Sequence, residues 1–182
     1  YVINKDVSIG LNVGAGKFYE EKEYKLKGEN KALNSEEFIQ YILKLVSDYP
    51  ISLLENPIAR NDKGAWAMLT QEIGHKVQLV VGDLFTLDKA SLDAIFNKNI
   101  ANSILVRTVR CATISEMLDI IDYINGKGYS VILSSDPDCE GEDSFISQIA
   151  VASNVKQIKI GGIARMERAI KYNELLRIEA IN

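Results

Sequence analysis

Long apolar runs are missing from this chain. No stretch approaches the ~20 residues that a bilayer-spanning helix needs, and no signal-peptide pattern opens it, so no membrane association is expected. Cysteine is nearly absent: Cys111 and Cys139 lack CxxC spacing, which excludes a disulfide framework and points to a reducing, cytoplasmic setting. His75 is the sole histidine and lies in a GHK turn, where a solvent-facing side chain without a catalytic role is expected. Positive charge is not in excess either. The 21 basic and 25 acidic residues give a net charge of -4 and a pI near 5.2, the opposite of a nucleic-acid-binding footprint. Linkers and low-complexity tracts are also lacking, and the chain starts at Tyr1 instead of methionine, which suggests a piece of a longer protein.

What is present is an ordinary globular composition of 182 residues, 47% hydrophobic and 25% charged, enough for one substantial core. Short β-branched runs recur at Val7–Val13, Ile51–Asn56, Val77–Asp83, Ser103–Arg107, Ser130–Ser135 and Gln157–Gly161. From the second onward they begin roughly 26 residues apart, room for a strand, a helix and two short loops. Helix signals fill the gaps. Asn34 with Glu37 forms a capping box before Phe38, Ile39, Ile42 and Leu43; Thr113 with Glu116 does the same before Met117, Ile120 and Ile121. Gly126 and Gly128 supply a stop. A last helix over about Ala164–Ile178 is expected to bury Ile170, Leu175 and Ile178, with Arg165, Glu167, Arg168 and Lys171 as a charged face. Gly161 and Gly162 allow the turn into it. Gly14–Ala32 reads as an active-site loop or, since FYEEKEYKL alternates, an ordered hairpin.

Six strand–helix units in a row predict an α/β fold with a parallel sheet and right-handed crossovers. A doubly wound sheet and part of a (β/α)8 barrel are both compatible. Even spacing, and no glycine-rich phosphate turn after the first strand, favour the barrel, with about two strands missing from the N-terminal side. In such a barrel, chemistry sits at the C-terminal strand ends. Those ends carry Asn12, Glu55, Gly82 with Asp83, Arg107, Ser134 with Ser135, and Lys159.

Four stretches carry a specific resemblance: GKFYEEKEYKLKGENKALNSEEFIQYI, GHKVQLVVGDLF, NKNIANSIL and QIKIGGIARMERAIKYNELLRIE. On these the chain, over nearly all of residues 1–182, resembles the C-terminal barrel domain of enolase, which dehydrates 2-phosphoglycerate to phosphoenolpyruvate in glycolysis. The resemblance implies a TIM-like barrel of the form ββαα(βα)6, of which this chain supplies the (βα)6 portion. The small N-terminal domain and the first two barrel strands would lie outside it.

The resemblance also implies a set of site positions, and most of them have changed. Enolases hold Mg²⁺ with three carboxylates, because a small hard cation takes oxygen ligands. The first falls on Asn12, a neutral amide; the second is kept as Glu55; the third falls on Gly82. Asp83 is a substitute ligand if the strand slips by one residue, although alternation points it to the opposite face. The lysine that acts as general base falls on Arg107, which stays protonated. The segment that grips the substrate phosphate corresponds to Ser134, Ser135, Asp136 and Pro137, and the run DPDCEGED places five carboxylates there. Lys159, a substrate-contact position, survives. Arg107 paired with Glu55 would put an ion pair where the metal belongs, and the acidic run Asp136–Asp143 otherwise reads as a solvated loop.

The leading expectation is therefore a catalytically degenerate enolase homologue with no bound metal. It would serve as a scaffold with protein partners, such as axonemal proteins of a cilium or flagellum, or an enolase dimer mate. The alternative is an active Mg²⁺-dependent enolase in the cytoplasm, with Asp83 as ligand. A different proton abstraction next to a carboxylate, drawing its base from outside this segment, is a third reading.

Overall fold

The computed structural model describes residues 1–82, 86–135, 141 and 144–181. They fall into two compact units, Tyr1–Ser103 and Ile104–Asn182. The expected strand–helix alternation is present throughout, and none of the described helices is long and apolar enough to cross a membrane.

The first unit contains a parallel set of three strands in the order β1 (Ile9–Asn12), β5 (Ile51–Glu55), β6 (Gln78–Val81). Their register places Asn12 beside Glu55 and Glu55 beside Val80, so the three C-terminal ends lie level. Leu54, Leu79 and Val80 are fully buried and, with Trp66 and Leu69 of α2 (Lys63–Ile73), belong to its core. Helix α1 (Ser35–Asp48) begins with the complete box predicted for it: the Glu37 N–H donates to Asn34 Oδ1 at 3.0 Å, and the Asn34 N–H to Glu37 Oε2 at 2.9 Å. Helix α3 (Lys89–Asn97) is capped by Asp88, which accepts from the Ser91 N–H at 2.9 Å.

Gly14–Ala32 is the hairpin option. β2 (Tyr19–Glu20), β3 (Glu23–Leu26) and β4 (Lys31–Leu33) form an antiparallel sheet, with Glu21 and Lys22 at positive φ in its first turn. Tyr24 anchors it. Its ring stacks on Phe38 of α1, centroids 4.0 Å apart and planes 10° from parallel. Its hydroxyl donates to Asp62 Oδ2 at 3.0 Å and accepts from the Ala59 N–H at 3.3 Å. Asp62 also accepts from Ser35 Oγ at 2.5 Å and caps α2 through the Ala65 N–H at 3.2 Å. One carboxylate thus joins the hairpin, α1 and α2. Burial pushes the Tyr24 phenol pKa far up, and the neighbouring Asp62 charge adds to the shift.

The second unit places β7 (Ser103–Arg107), β8 (Ser130–Ser134) and β9 (Gln157–Lys159) side by side, with helices α4 (Ile114–Gly126), α5 (Phe145–Ala152) and α6 (Met166–Ile181). β8 and β9 are parallel, Ser134 beside Lys159. At α4 the box is only half formed: the Glu116 N–H donates to Thr113 Oγ1 at 3.1 Å, but the Glu116 carboxylate reaches one residue further back, to the Ala112 N–H at 2.6 Å. Gly126 closes this helix and Gly128, at φ 79°, turns the chain out of it.

Helix α6 departs from expectation. Its buried residues are Lys171 and Glu174, while Ile170, Leu175 and Ile178 are only half-buried. Lys171 does not belong to a solvated charged face. It is 3% exposed, and its ammonium donates to the carbonyls of Gly141 at 2.8 Å and Glu167 at 2.5 Å. Glu174 accepts from Gln148 at 2.9 Å and from Arg177 at 2.6 and 2.8 Å. Polar satisfaction by α5 and the preceding segment, not apolar periodicity, decides which face turns inward.

Two predictions follow from these contacts. Tyr24→Phe should lower stability by about 1–2 kcal/mol, because it leaves Asp62 and the Ala59 N–H short of a partner. The sole tryptophan, fully buried Trp66, reports on this unit, so its emission during urea unfolding measures the loss. Asp88 gives an acid signature. Hydrogen bonds from the Thr86 hydroxyl first, then from the Ser91 N–H and hydroxyl, hold its carboxyl at about 2. A depressed folded pKa contributes stability above the usual carboxylate range that is lost as pH falls through about 2. Wild-type Tm should therefore drop more between pH 4 and pH 2 than that of Asp88→Ala.

Candidate functional site

The expected site residues fall in both units. In the first, Asn12 ends β1 with its side chain exposed, and Glu55 ends β5 at 3% exposure. The residue after Glu55 was read as the end of a strand; it instead organises this cluster. Asn56 lies at φ 49°, a left-handed conformation that Asn tolerates better than most residues. It is 6% exposed. Its N–H donates to the Val80 carbonyl at 2.9 Å, and its carbonyl accepts from the Ala15 N–H at 3.1 Å. Its side-chain Oδ1 accepts from the Gly82 N–H at 2.9 Å. The Val13 N–H donates to the Glu55 carbonyl at 2.9 Å, so the chain after β1 is tied down on both sides of this turn.

Gly82 is buried directly against that amide. A Cβ built there would stand 2.7 Å from Asn56 Nδ2, closer than real side chains approach, and 3.1 Å from Oδ1, tighter than most. The space into which a side chain at residue 82 would branch is thus taken by the Asn56 amide. Asp83 lies outside the described residues. Among the described residues, no three Asp, Glu, His or Cys side chains come together to hold a metal ion. Among the described residues, one carboxylate, one exposed amide and a crowded glycine do not fit Mg²⁺, which requires hard, charged oxygen ligands in near-octahedral order.

In the second unit, Arg107 ends β7 and is half-buried. An arginine at this point holds charge and donates hydrogen bonds but takes no proton. Ser134, 2% exposed, donates its hydroxyl to the Ser135 carbonyl at 2.9 Å, and the Ser135 N–H donates to the Lys159 carbonyl at 3.1 Å. The Ser134 proton is thereby committed to its own backbone. Lys159 ends β9 with its side chain exposed. Asp136 and most of the acidic run to Asp143 lie outside the described residues.

After β9 the chain turns through Gly161 at φ 76°, and Tyr172 of α6 donates its hydroxyl to the Gly161 carbonyl. Arg168 packs over the same glycine, 2.8 Å from where a Cβ would be. Gly162 has open space around it. Sequence reasoning missed Asn56 and Lys171. For Asn56 a signal existed: an Asn-Pro pair immediately after a strand marks a turn. For Lys171 there was none.

Comparison with known proteins bears on what this cluster descends from. A family model described as the enolase C-terminal TIM barrel domain matches residues 2–181. The chain is 39% identical over 181 residues to the enolase of Ehrlichia chaffeensis, covering 100% of the chain and 42% of that protein. It is 41% identical over 174 residues to the enolase of a Nitratiruptor species, covering 96% of the chain and 41% of that protein. The chain therefore spans about two-fifths of the length of these curated relatives.

The Gly161 turn yields a test with an internal control. Gly161→Ala should lower Tm, at a cost of about 1–2 kcal/mol, since it places a side chain at positive φ against Arg168. Gly162→Ala should be close to neutral.

Proposed function

Because the chain belongs to the enolase family, through its C-terminal TIM barrel domain, we propose that it keeps the barrel and has lost the dehydration of 2-phosphoglycerate. The observation that carries this is the Asn56 amide lodged against Gly82, where a metal-binding carboxylate would branch. Arg107 at the position of the general base supports it independently. Abstraction of a proton next to a carboxylate needs a group that can be unprotonated near neutral pH, and such a group contributes about 10²–10⁴-fold in rate. The changes at Asn12 and Asp136 act in the same direction, each disfavouring an anionic substrate or its cation.

A barrel that keeps its fold without this chemistry acts through its surfaces. The role proposed for it is that of a scaffold, with protein partners such as an enolase mate or, by resemblance alone, the proteins of an axoneme. Neither relative's name mentions a cilium, so the axonemal setting has no further support.

A second reading is a Mg²⁺-dependent enolase of the cytoplasm. It is favoured by 39–41% identity along almost the whole chain to two proteins named enolase. It requires Asp83 as a metal ligand and a base from the rest of the parent protein. Turnover of 2-phosphoglycerate by the full-length parent in excess Mg²⁺ separates the two. The first reading expects a rate at least about 10²–10⁴-fold below that of an active control enolase. A Mg²⁺-dependent rate within tenfold of the control would establish the second.

A further inference from the structure

We infer that the Asn56 carboxamide has replaced a cation as the tie between the ends of β5 and β6, and that it now bars one. This rests on the reading that the strand-end cluster is a disabled metal site. A metal held by carboxylates on neighbouring strand ends links those ends through ionic bonds. Here the link is neutral: Oδ1 of Asn56, one residue beyond β5, takes the N–H of Gly82, one residue beyond β6, at 2.9 Å. The same amide's nitrogen stands 2.7 Å from the place of any Cβ at residue 82. Link and obstruction are one group.

The amide cannot simply swing aside. Asn has two side-chain torsions, Asn56 is 6% exposed, and its backbone is held by the Val80 carbonyl on one side and the Ala15 N–H on the other. Moving the amide would leave a buried N–H at Gly82 without its acceptor, which costs as much as a lost hydrogen bond. Restoring an acid at residue 82 therefore requires removing the side chain at residue 56 as well. Glycine is the replacement that suits φ 49° without backbone strain. The two positions form an energetically coupled pair that a list of single replacements does not show.

The coupling is measurable in the full-length parent protein by two routes. In a thermal double-mutant cycle, Gly82→Ala should lower Tm by about 3 °C or more when Asn56 is present, and by clearly less in an Asn56→Gly background. Equal losses in both backgrounds would overturn the latch. In the second route, Mn²⁺ binding is followed by electron paramagnetic resonance for wild type, Gly82→Asp, Asn56→Gly and the double variant, with circular dichroism confirming each fold. The double variant should bind Mn²⁺ at least about tenfold more tightly than wild type, with Glu55, the new Asp and Asn12 as oxygen donors, while Gly82→Asp alone gains little. Equal gain by Gly82→Asp alone, or no gain by the folded double variant, would contradict the inference. The thermal cycle tests the latch without reference to metal. A positive cycle in a parent that turns over 2-phosphoglycerate would reject the disabled-site reading while the latch stands.

Discussion

The arrangement of the first unit depends on how one residue leaves its strand. At Asn56 the chain enters a left-handed conformation, and from there its N–H, its carbonyl and its side-chain oxygen each satisfy a different segment: Val80 of β6, Ala15 after β1, and Gly82 after β6. Three strand ends thus meet around a single buried residue. Buried polar groups at strand ends need partners, and here one asparagine supplies them, two through its backbone and one through its side chain. Glu55 directly precedes this turn, and residue 82 carries no side chain where the Asn56 amide stands.

This arrangement differs in kind from a merely eroded active site. In this chain the Asn56 amide accepts from the Gly82 N–H and stands against the place of any Cβ at residue 82. In the proposed reading the change at Arg107 is of a different sort: the base's position would hold a group that keeps its charge at all accessible pH. On that reading the two changes together would remove both requirements of the family's chemistry, charge neutralisation by a cation and proton transfer to a base, by separate physical means.

Much of the fold was legible because it is written in local signals. The capping box at Asn34 and Glu37 and the alternation of FYEEKEYKL correspond to observed contacts. Strand ends were placed one to two residues too far, at Asn56 and Gly161, where positive φ breaks the pleat that hydrophobicity alone cannot see end. The candidate positions Asn12, Glu55, Gly82 and Arg107 were legible from the resemblance. What fills the space beside them was not, since the partner of Gly82 lies 26 residues away in sequence. The inward turn of Lys171 was hidden for a similar reason: its acceptor at Gly141 lies in a different segment, and a lysine at helical spacing between Glu167 and Glu174 looks like a surface residue.

The central claim is that Asn56 occupies the former ligand position and holds it against a cation. The most direct measurement is a crystal structure of the full-length parent soaked in high Mg²⁺ with 2-phosphoglycerate. The account predicts that the Asn56 amide still accepts from the Gly82 N–H and that no ion stands beside Glu55. An ordered Mg²⁺ on Glu55, with Asn56 rotated away or Asp83 turned in to coordinate, would contradict it.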